Sequence, residues 1–323
     1  MKNKSIVFFV CMLMIITAFS AMAITNTQEK TSNKQTNKSA GRLFTYLPYD
    51  PGYTTDDWYS TFSSSGLDYK AFDNFTNVMG PIRSIHWWGI CGINNSGQFG
   101  APGDPAGMTF TISFYKENTS SPTYPGNLAL SFSNVEPSIT ATGVLYPDPG
   151  GMYELYFFEY DLPAECNLSD GWVSVLCTGS DNDCFFVWMG STDGDLDSLY
   201  IHGGTWDSNF FYDQSFVLTD GQEPAVNVEN VMGGPGVSVQ FKNNGNTTVD
   251  NFPVKVVVKG GIFKKIEVKN KNTISGLTPS DTTSLQTGKF FGLGKITVFV
   301  VGDGIIAYKQ GIQLFTHTII KNT

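Results

Sequence analysis

The stretch from Tyr69 to Gly92 constrains the fold of this chain more than any other. Two short runs of aromatic and β-branched residues flank a turn at residues 79–81, and the second run carries Trp87 and Trp88. Gly and Pro supply backbone geometry that a strand cannot hold, so two such runs around a turn predict a β-hairpin. We interpret the hairpin as the first strand pairing of a large β-sandwich.

The composition favours strands along the whole chain. Of 323 residues, 41% are hydrophobic and only 15% are charged, while Gly, Phe and Tyr are abundant. No stretch keeps the spacing of an amphipathic helix over four turns with a cap at each end. The sequence therefore predicts an all-β protein with enough apolar residues for one large core and one smaller core.

The first 41 residues are predicted to lie outside the fold. Lys2 and Lys4 precede an apolar run and a small-x-small sequence, which together are typical of a secretory signal peptide over residues 1–23. A single membrane anchor is the alternative. Residues 24–41 are nearly all Thr, Asn, Gln, Ser and Lys, a composition that predicts a disordered linker. The mature protein is thus expected to be extracellular or at the cell surface, without a membrane span.

The rest of the chain divides near Gly221 into two predicted domains, 42–221 and 222–323. All six tryptophans, and all four cysteines that follow the signal, lie before this position. The first domain has 4 basic and 22 acidic residues, whereas the second has 11 basic and 6 acidic. Such a contrast indicates two separately built domains. The acidic domain would be repelled by phosphate backbones, which argues against nucleic acid as a partner.

Alternation of apolar and polar residues predicts the strands of the acidic domain. Met108, Phe110, Ile112 and Phe114 alternate with polar positions, which places one face of a strand on a core. Further apolar runs follow at hairpin spacing, at residues 128–132, 139–146, 152–160, 172–177, 184–189 and 214–219. About eight to ten strands in this length predict a two-sheet, jelly-roll-like β-sandwich, with a closed barrel as the alternative.

The basic domain has a simpler pattern of apolar residues. Apolar residues alternate at 237–241, 254–258 and 296–300, and a turn rich in Gly or Asn follows each run. About seven strands in roughly 100 residues predict an immunoglobulin-like β-sandwich. Because this domain has no Cys or Trp, we expect aliphatic packing to hold it together.

Two groups of motifs carry a family resemblance. AFDNFTNVMGPIRSIHWWG, FFVWMGS and YDQSFVLTDG resemble a secreted β-sandwich module of uncharacterised function from bacterial and archaeal exported proteins, over about residues 69–220. FKNNGNTTVDNFPVKVVV and GLGKITVFVVGDG resemble immunoglobulin-like, cell-adhesion-related modules of prokaryotic surface proteins, over about 222–315. The resemblance implies secretion and a β fold, and it transfers no catalytic residue.

Four cysteines remain after removal of the signal peptide: Cys91, Cys166, Cys177 and Cys184. An even number in a secretory context predicts one or two disulfides. We favour Cys166 with Cys184, because both lie at loop edges that flank one predicted strand. Cys91 and Cys177 continue apolar runs, so they are either a second, core bridge or buried thiols.

The sequence carries no recognisable catalytic motif. It has three histidines and lacks a nucleophile elbow, a zinc-protease helix and a phosphate-binding loop. Cys91 and His86 form a poor pair, because their odd spacing puts them on opposite faces of one strand. Glu154 and Glu159, the obvious carboxylate pair, have the same defect. We therefore expect a protein that is not an enzyme, with a secreted glycan hydrolase or lyase as the alternative.

Asp193, Asp195 and Asp197 alternate in one stretch and predict a structural calcium site. Hard oxygen donors at alternate positions of a loop can converge on one ion. The stretch departs from a helix-loop-helix calcium loop, because Ser198 stands where Gly is required and Gly204 where a bidentate Glu is required. An ordinary acidic loop is the alternative.

Aromatic residues in polar stretches predict a ligand site. Tyr53, Trp58 and Trp206 lie in such stretches, and Asp207 follows Trp206. Exposed aromatic faces stack on the C–H surfaces of sugar rings, while plain packing is the alternative for a tryptophan. The other four tryptophans lie inside apolar runs and are predicted to be core. We expect a non-catalytic protein that binds carbohydrate or another surface ligand, with a structural component of an extracellular layer as the alternative.

Overall fold

The computed structural model describes residues 42–48, 60–95, 98–121, 123–148, 151–180, 184–209, 211–221, 226–302 and 305–321. Within these ranges the chain forms 23 β-strands, two short 3-10 turns at 65–67 and 262–264, and no α-helix, which confirms the all-β class. In the same ranges no helix has the length and apolar character needed to cross a bilayer. The predicted signal peptide and linker, together with Tyr53 and Trp58, lie outside the described residues.

The strands are β1 (Arg42–Tyr46), β2 (Ser60–Phe62), β3 (Tyr69–Phe75), β4 (Ile82–Asn95), β5 (Gln98–Pro102), β6 (Thr109–Glu117), β7 (Pro125–Val135), β8 (Ser138–Asp148), β9 (Gly151–Cys166), β10 (Gly171–Gly179), β11 (Cys184–Ser191), β12 (Ser198–His202), β13 (Thr205–Asn209), β14 (Asp213–Gln214), β15 (Phe216–Thr219), β16 (Val226–Met232), β17 (Ser238–Asn243), β18 (Phe252–Gly260), β19 (Ile266–Ile274), β20 (Thr282–Gln286), β21 (Gly292–Gly302), β22 (Ile305–Phe315) and β23 (His317–Ile320).

These strands form four antiparallel sheets. A nine-stranded sheet follows the order β1-β15-β4-β11-β14, with β9 and β5 also pairing with β4, β8 with β9, and β2 with β11. A six-stranded sheet has the order β13-β12-β3-β10-β6-β7. Strands β16-β17-β20 form a three-stranded sheet, and β19-β18-β21-β22-β23 form a five-stranded sheet. Every strand up to Thr219 belongs to the first two sheets, and every strand from Val226 belongs to the other two.

The predicted hairpin at residues 69–92 is wrong. Its two runs are strands β3 and β4, but β3 pairs with β12 and β10 in the six-stranded sheet, whereas β4 lies in the nine-stranded sheet. The turn at 79–81 therefore carries the chain from one sheet to the other. Apolar side chains at Phe75 and Ile82, on either side of the turn, are fully buried in the core between the two sheets. Core burial, rather than strand pairing, brings the two runs together.

The core between the six-stranded and nine-stranded sheets is largely aromatic. Trp87 of β4 stacks on Phe158 of β9 with ring centroids 5.5 Å apart and an interplanar angle of 3°. Phe110 of β6 crosses from the opposite sheet and meets Trp87 edge-on at 5.4 Å. Phe110 also contacts Phe186 of β11 at 5.1 Å. We call this cluster the aromatic core; the predicted inward positions Phe110, Ile112 and Phe114 are all fully buried in it.

The nine-stranded sheet is buried on its other face as well. Successive side chains of a strand point to opposite faces, so Trp88 faces away from the aromatic core while Trp87 faces into it. Trp88 packs in a second cluster that includes Val257 of β18 and Phe299 of β21, both in the five-stranded sheet. We call this second cluster the junction. The strands of a sheet that is buried on both faces have nearly continuous apolar sequences. This explains why β11 is buried at every position.

The five-stranded and three-stranded sheets enclose a mainly aliphatic core, as expected for a region without Trp or Cys. Val254, Val256 and Val258 of β18 are fully buried and face Val239 of β17 and its neighbours. The intervening residues of β18 face outward toward the junction. Each half thus has its own core, and the two halves share the junction. The prediction that each half is a separately folding domain stays a prediction.

Two polar contacts accompany the apolar junction. The ammonium of Lys255, which is 5% exposed, donates a hydrogen bond of 2.7 Å to the carbonyl of Pro48. Lys271 of β19 forms an ion pair of 3.0 Å with Asp193 in the acidic half. Both contacts join a basic side chain of residues 226–321 to the first half, and the ion pair of Lys271 with Asp193 agrees with the opposite charge of the two halves.

Candidate functional site

Trp206, which lies in a polar stretch of the sequence, is part of edge strand β13 of the six-stranded sheet. Its indole is 39% exposed. It pairs in register with Ile201 of β12, which in turn pairs with Lys70 of β3. Residues in register share one face of a sheet, so Trp206 lies on the face that turns away from the aromatic core.

Other rings support the indole on this outer face. Trp206 leans on Phe72, with centroids 5.0 Å apart and an interplanar angle of 43°, and Phe72 is only 2% exposed. Tyr124 meets Trp206 edge-on at 5.7 Å and is 40% exposed. Beneath them, Phe72 and Trp172 form a small buried cluster with partly buried Tyr115. We call Phe72, Tyr115, Tyr124 and Trp206 the aromatic shelf.

Lys70 brings a positive charge to the shelf. Its ammonium donates a hydrogen bond of 2.7 Å to the hydroxyl of Tyr115. The same nitrogen lies 5.1 Å from the ring centroid of Phe72 and 5.3 Å from that of Tyr115, distances typical of cation–π contacts. The shelf therefore combines an exposed indole, a phenol and an ammonium group held by neighbouring rings.

Asp207, which follows Trp206 in the sequence, lies away from the aromatic shelf. It pairs with Tyr200 and points to the opposite face of β13, because neighbouring residues of a strand alternate. Its carboxylate accepts a hydrogen bond of 2.9 Å from the Tyr200 hydroxyl, and this bond raises the pKa of Tyr200. On that face the Tyr69 ring stacks on His202 at 3.9 Å. The predicted Trp206 and Asp207 pair is thus divided between two surfaces.

The three aspartates predicted to bind calcium have different partners. Asp193 accepts a hydrogen bond of 3.0 Å from the backbone N–H of Leu47, in addition to its ion pair with Lys271. Asp195 accepts a hydrogen bond of 2.8 Å from the Asn74 side chain. Burial, followed by the negative charge of Asp195, raises the pKa of Asp197.

A residue missed at the sequence level, Asp213, organises this acidic loop. Its fully buried carboxylate accepts hydrogen bonds of 3.0 Å from the backbone N–H groups of Gly194 and Leu196. Leu196 has a φ of 65°, in the left-handed region that few side chains adopt. The contacts therefore hold the loop in a conformation that its sequence alone does not favour.

The carboxyl groups of Asp213 and Asp73 both have raised pKa values. Burial, followed by a hydrogen bond and charge repulsion with Asp195, raises the pKa of Asp213 to about 7. Burial, followed by repulsion from Asp213, raises the pKa of Asp73 well above its usual range. Three carboxyl groups thus lie within electrostatic reach of one another, from the buried Asp73 to the exposed Asp195.

Within the described ranges, no group of three or more His, Cys, Asp or Glu side chains has a geometry that could hold a metal ion. Asp193 and Asp195 do lie in one loop with Asp213 beneath it. The bound calcium predicted from the sequence stays a prediction.

The predicted disulfides do not form, and all four cysteines are buried free thiols. Cys166 pairs with Ile82 at one end of β4, while Cys184 pairs with Ile93 toward the other end. At about 3.3 Å per residue these positions are roughly 35 Å apart, whereas a disulfide needs Cα atoms within about 7 Å. The favoured pairing is wrong for this reason.

The other three thiols meet at one end of the aromatic core. Cys91 and Cys184 are hydrogen-bonded neighbours on β4 and β11, and Cys177 lies close to Cys184. Burial raises the pKa of Cys177 to about 11, so its thiolate is scarce at neutral pH. Buried thiols, one of the two alternatives for Cys91 and Cys177, describe the structure.

A polar cleft of about 350 Å³ contains the histidine considered for catalysis. Its lining includes Ser84, His86, Glu159 and Asp161. His86 and Glu159 are directly paired across β4 and β9, a proximity that the sequence did not reveal. Glu154, in contrast, accepts a hydrogen bond of 2.9 Å from the backbone N–H of Gly143 and does not reach this cleft. The carboxylate pair considered for a glycosidase is therefore not assembled.

No protein-family model matches the chain, and no curated protein matches it significantly.

Proposed function

We propose that this chain is a secreted or cell-surface, non-catalytic protein that binds carbohydrate through the aromatic shelf. The observation that carries the proposal is Trp206. Its ring is 39% exposed while Phe72 supports it from below at 5.0 Å. An aromatic ring fixed by its neighbours loses little conformational freedom on binding, which favours its use as a recognition element.

The groups around Trp206 suit a neutral sugar, which binds through apolar contacts and hydrogen bonds rather than through charge. The indole and the Tyr124 ring offer apolar surface for sugar C–H groups. The Tyr115 hydroxyl and the Lys70 ammonium offer hydrogen bonds to sugar hydroxyl groups at the side of the shelf. The strong negative charge of residues 42–221 disfavours acidic polymers, so we expect neutral glycans to bind best.

We further propose that the first two sheets form a jelly-roll-like sandwich and that the last two form an immunoglobulin-like sandwich. Antiparallel pairing throughout and a separate core in each half support this assignment. The sequence motifs that resemble exported prokaryotic modules support secretion and a surface location. In this arrangement the first half binds the ligand, and the second half supports the first half.

Binding of the full chain to a panel of neutral glycans and cell-wall polymers tests the proposal. Trp206→Ala should raise the dissociation constant about tenfold or more, as for other anchoring aromatic residues, while Trp206→Tyr should retain part of the affinity. Phe291→Ala removes an exposed ring from the other half and serves as the matched control, with no expected effect. Equal loss of binding in both alanine variants would refute the shelf as the site.

Product analysis of the same mixtures separates binding from catalysis. The His86 cleft is the observation that favours the hydrolase alternative. Release of sugar that disappears in His86→Ala, with binding retained, would replace the proposed function by a glycan hydrolase. Binding to the panel without any release of sugar supports the non-catalytic assignment.

A further inference from the structure

The junction between the two halves leaves an open, mainly apolar cavity of about 330 Å³. Leu145, Pro147 and Met152 of the first half line one side, and Val257 and Phe299 of the five-stranded sheet line the other. Leu145 is 45% and Met152 is 52% exposed, unusual values for large apolar side chains that lie close together. Small-molecule sites have this size and lining and often occur where two compact regions meet.

An irregularity in β8 lies at one wall of the cavity. The pairing of β8 with β9 shifts register between Ala141 and Leu145, and Gly143 adopts a φ of 73° there. The Thr142 hydroxyl donates to the Leu155 carbonyl at 2.7 Å, and Glu154 accepts from the backbone N–H of Gly143. These bonds fix the distorted segment. A bulge bends its strand, so the following residues diverge from the flat sheet and form a wall.

A second pocket, of about 250 Å³, continues the cavity along the five-stranded sheet. The two share Lys259, Thr297 and Gln310 in their linings. The second pocket adds Lys295 and Lys321, so three lysines surround it. The whole groove is therefore apolar at one end and cationic at the other.

The charged groups nearby give the groove a direction. Glu154 lies at the Gly143 rim, at the apolar end, where it would repel an anion. At the other end, Glu267 lies across the strand pair from Lys259 and forms an ion pair of 3.2 Å with Lys269, while Lys295 and Lys321 add two further positive charges. An anionic ligand would therefore place its charge toward Lys259 and Lys295 and its apolar portion toward Leu145 and Met152.

We propose that this groove binds a long-chain carboxylate, with its hydrocarbon tail in the junction cavity and its carboxylate against Lys259 and Lys295. One apolar compartment next to one cationic compartment matches a ligand with a single tail and a single anionic head. The site is independent of the aromatic shelf, which lies on the six-stranded sheet.

Calorimetric titration of the full chain with dodecanoate, below its micelle concentration, tests the proposal. We expect one molecule bound per chain. Dodecyltrimethylammonium, which has the same tail and the opposite charge, should bind at least about tenfold more weakly, because the lysines repel it. Octanoate should also bind more weakly, because it buries less apolar surface.

Substitutions distinguish the two ends of the groove. Leu145→Asp, at an exposed lining position, should abolish dodecanoate binding. Lys295→Gln should raise the dissociation constant by about threefold at low salt, as expected for an exposed ion pair. Lys265→Gln, an exposed lysine outside the groove, is the matched control and should leave the constant unchanged. Thermal unfolding of each variant confirms that it remains folded.

Three results would overturn the proposal: equal affinity for the anionic and cationic amphiphiles, unchanged binding by Leu145→Asp, or several molecules bound per chain. Sedimentation with phosphatidylglycerol vesicles separates a free ligand from a membrane surface. Absence of co-sedimentation supports the free carboxylate. Co-sedimentation that depends on Lys295 and Leu145 would replace it with an anionic membrane.

Discussion

The two faces of the nine-stranded sheet differ in how they are buried. On the inner face, Trp87 belongs to a closed network of rings with Phe158, Phe110 and Phe186. On the outer face, Trp88 packs among the apolar side chains of the junction. The junction also contains the hydrogen bond from Lys255 to the Pro48 carbonyl, and it borders an open cavity. The inner face packs against the six-stranded sheet, whereas the outer face packs against the five-stranded sheet and borders a cavity.

This difference separates the role of each face. Interlocked rings leave few alternatives for packing, so the aromatic core defines one arrangement of two sheets. The junction lies between two other buried clusters, so it can contain a cavity and charged groups while those clusters stay closed. Binding chemistry is therefore expected at the junction and on outer surfaces rather than in the aromatic core.

The largest expected effect is a loss of global stability on truncation of the inner tryptophan. Trp87→Ala should lower the free energy of unfolding by about 3–5 kcal/mol, because it leaves a large cavity among rings that cannot collapse. Urea unfolding followed by intrinsic fluorescence measures the loss. Trp87→Phe should cost much less, since the indole N–H has no hydrogen-bond partner among the described residues. A loss under about 1 kcal/mol for the alanine variant would contradict the closed core.

A charge in the junction should uncouple the two halves. Val257→Asp places a carboxylate where the side chain is 1% exposed, which should cost about 2–3 kcal/mol of coupling. Because each half keeps its own core, scanning calorimetry should then show two transitions instead of one. Ser284→Asp, an exposed position on β20, is the control and should leave one transition. A single transition at much lower temperature for Val257→Asp would show that the halves share one cooperative core.

The acidic loop at the edge of the junction should make stability depend on pH. The pKa of Asp213 is raised to about 7, so the folded chain holds more protons than the unfolded chain between about pH 4 and 7. Stability should therefore fall as pH rises through this window, on the order of 2 kcal/mol between pH 5 and 7, and then level off. Asp73, whose pKa is also raised, acts in the same direction.

Asp195→Asn should flatten this profile, because it removes the repulsion between Asp195 and Asp213. Unfolding free energies from pH 5 to 8 in both proteins provide the measurement. An unchanged slope would assign the pH dependence to burial alone. Added calcium offers a parallel check: under the calcium prediction it raises the melting temperature of the unmodified chain at pH 8 and leaves that of Asp195→Asn unaffected.

The smallest expected effect concerns the ion pair between the halves. Lys271 is half-exposed in its 3.0 Å contact with Asp193. Lys271→Gln should weaken the junction by less than about 1 kcal/mol, and added salt should remove the difference. Lys265→Gln is the matched control. A loss above about 2 kcal/mol, retained at high salt, would show that the ion pair contributes as much as the apolar contacts.

Much of the strand plan was predictable because alternation is a local property. The run at 254–258 predicts β18, and the run at 184–189 predicts β11 almost in full. The sheet partners of each run were not predictable. The two runs beside the turn at 79–81 belong to different sheets, because core burial favours that arrangement and nothing local distinguishes it from a hairpin.

The candidate site was predictable only in part. Trp206 stands out in a polar stretch, so its exposure could be expected. Its support by Phe72 and Tyr124 depends on strands distant in sequence. Asp213 is likewise invisible from the sequence, since a single aspartate before a strand gives no sign that it will anchor a loop some 20 residues earlier.

The sequence by itself determined the all-β class, the division in composition near Gly221 and the inward faces of the strongest strands, because all three follow from local composition and periodicity. Only the tertiary structure decided which face each neighbouring tryptophan meets, which thiols come together, and where a bulge leaves a cavity beside lysines. Those outcomes depend on contacts between residues far apart in the chain, for which a single sequence carries no local signal.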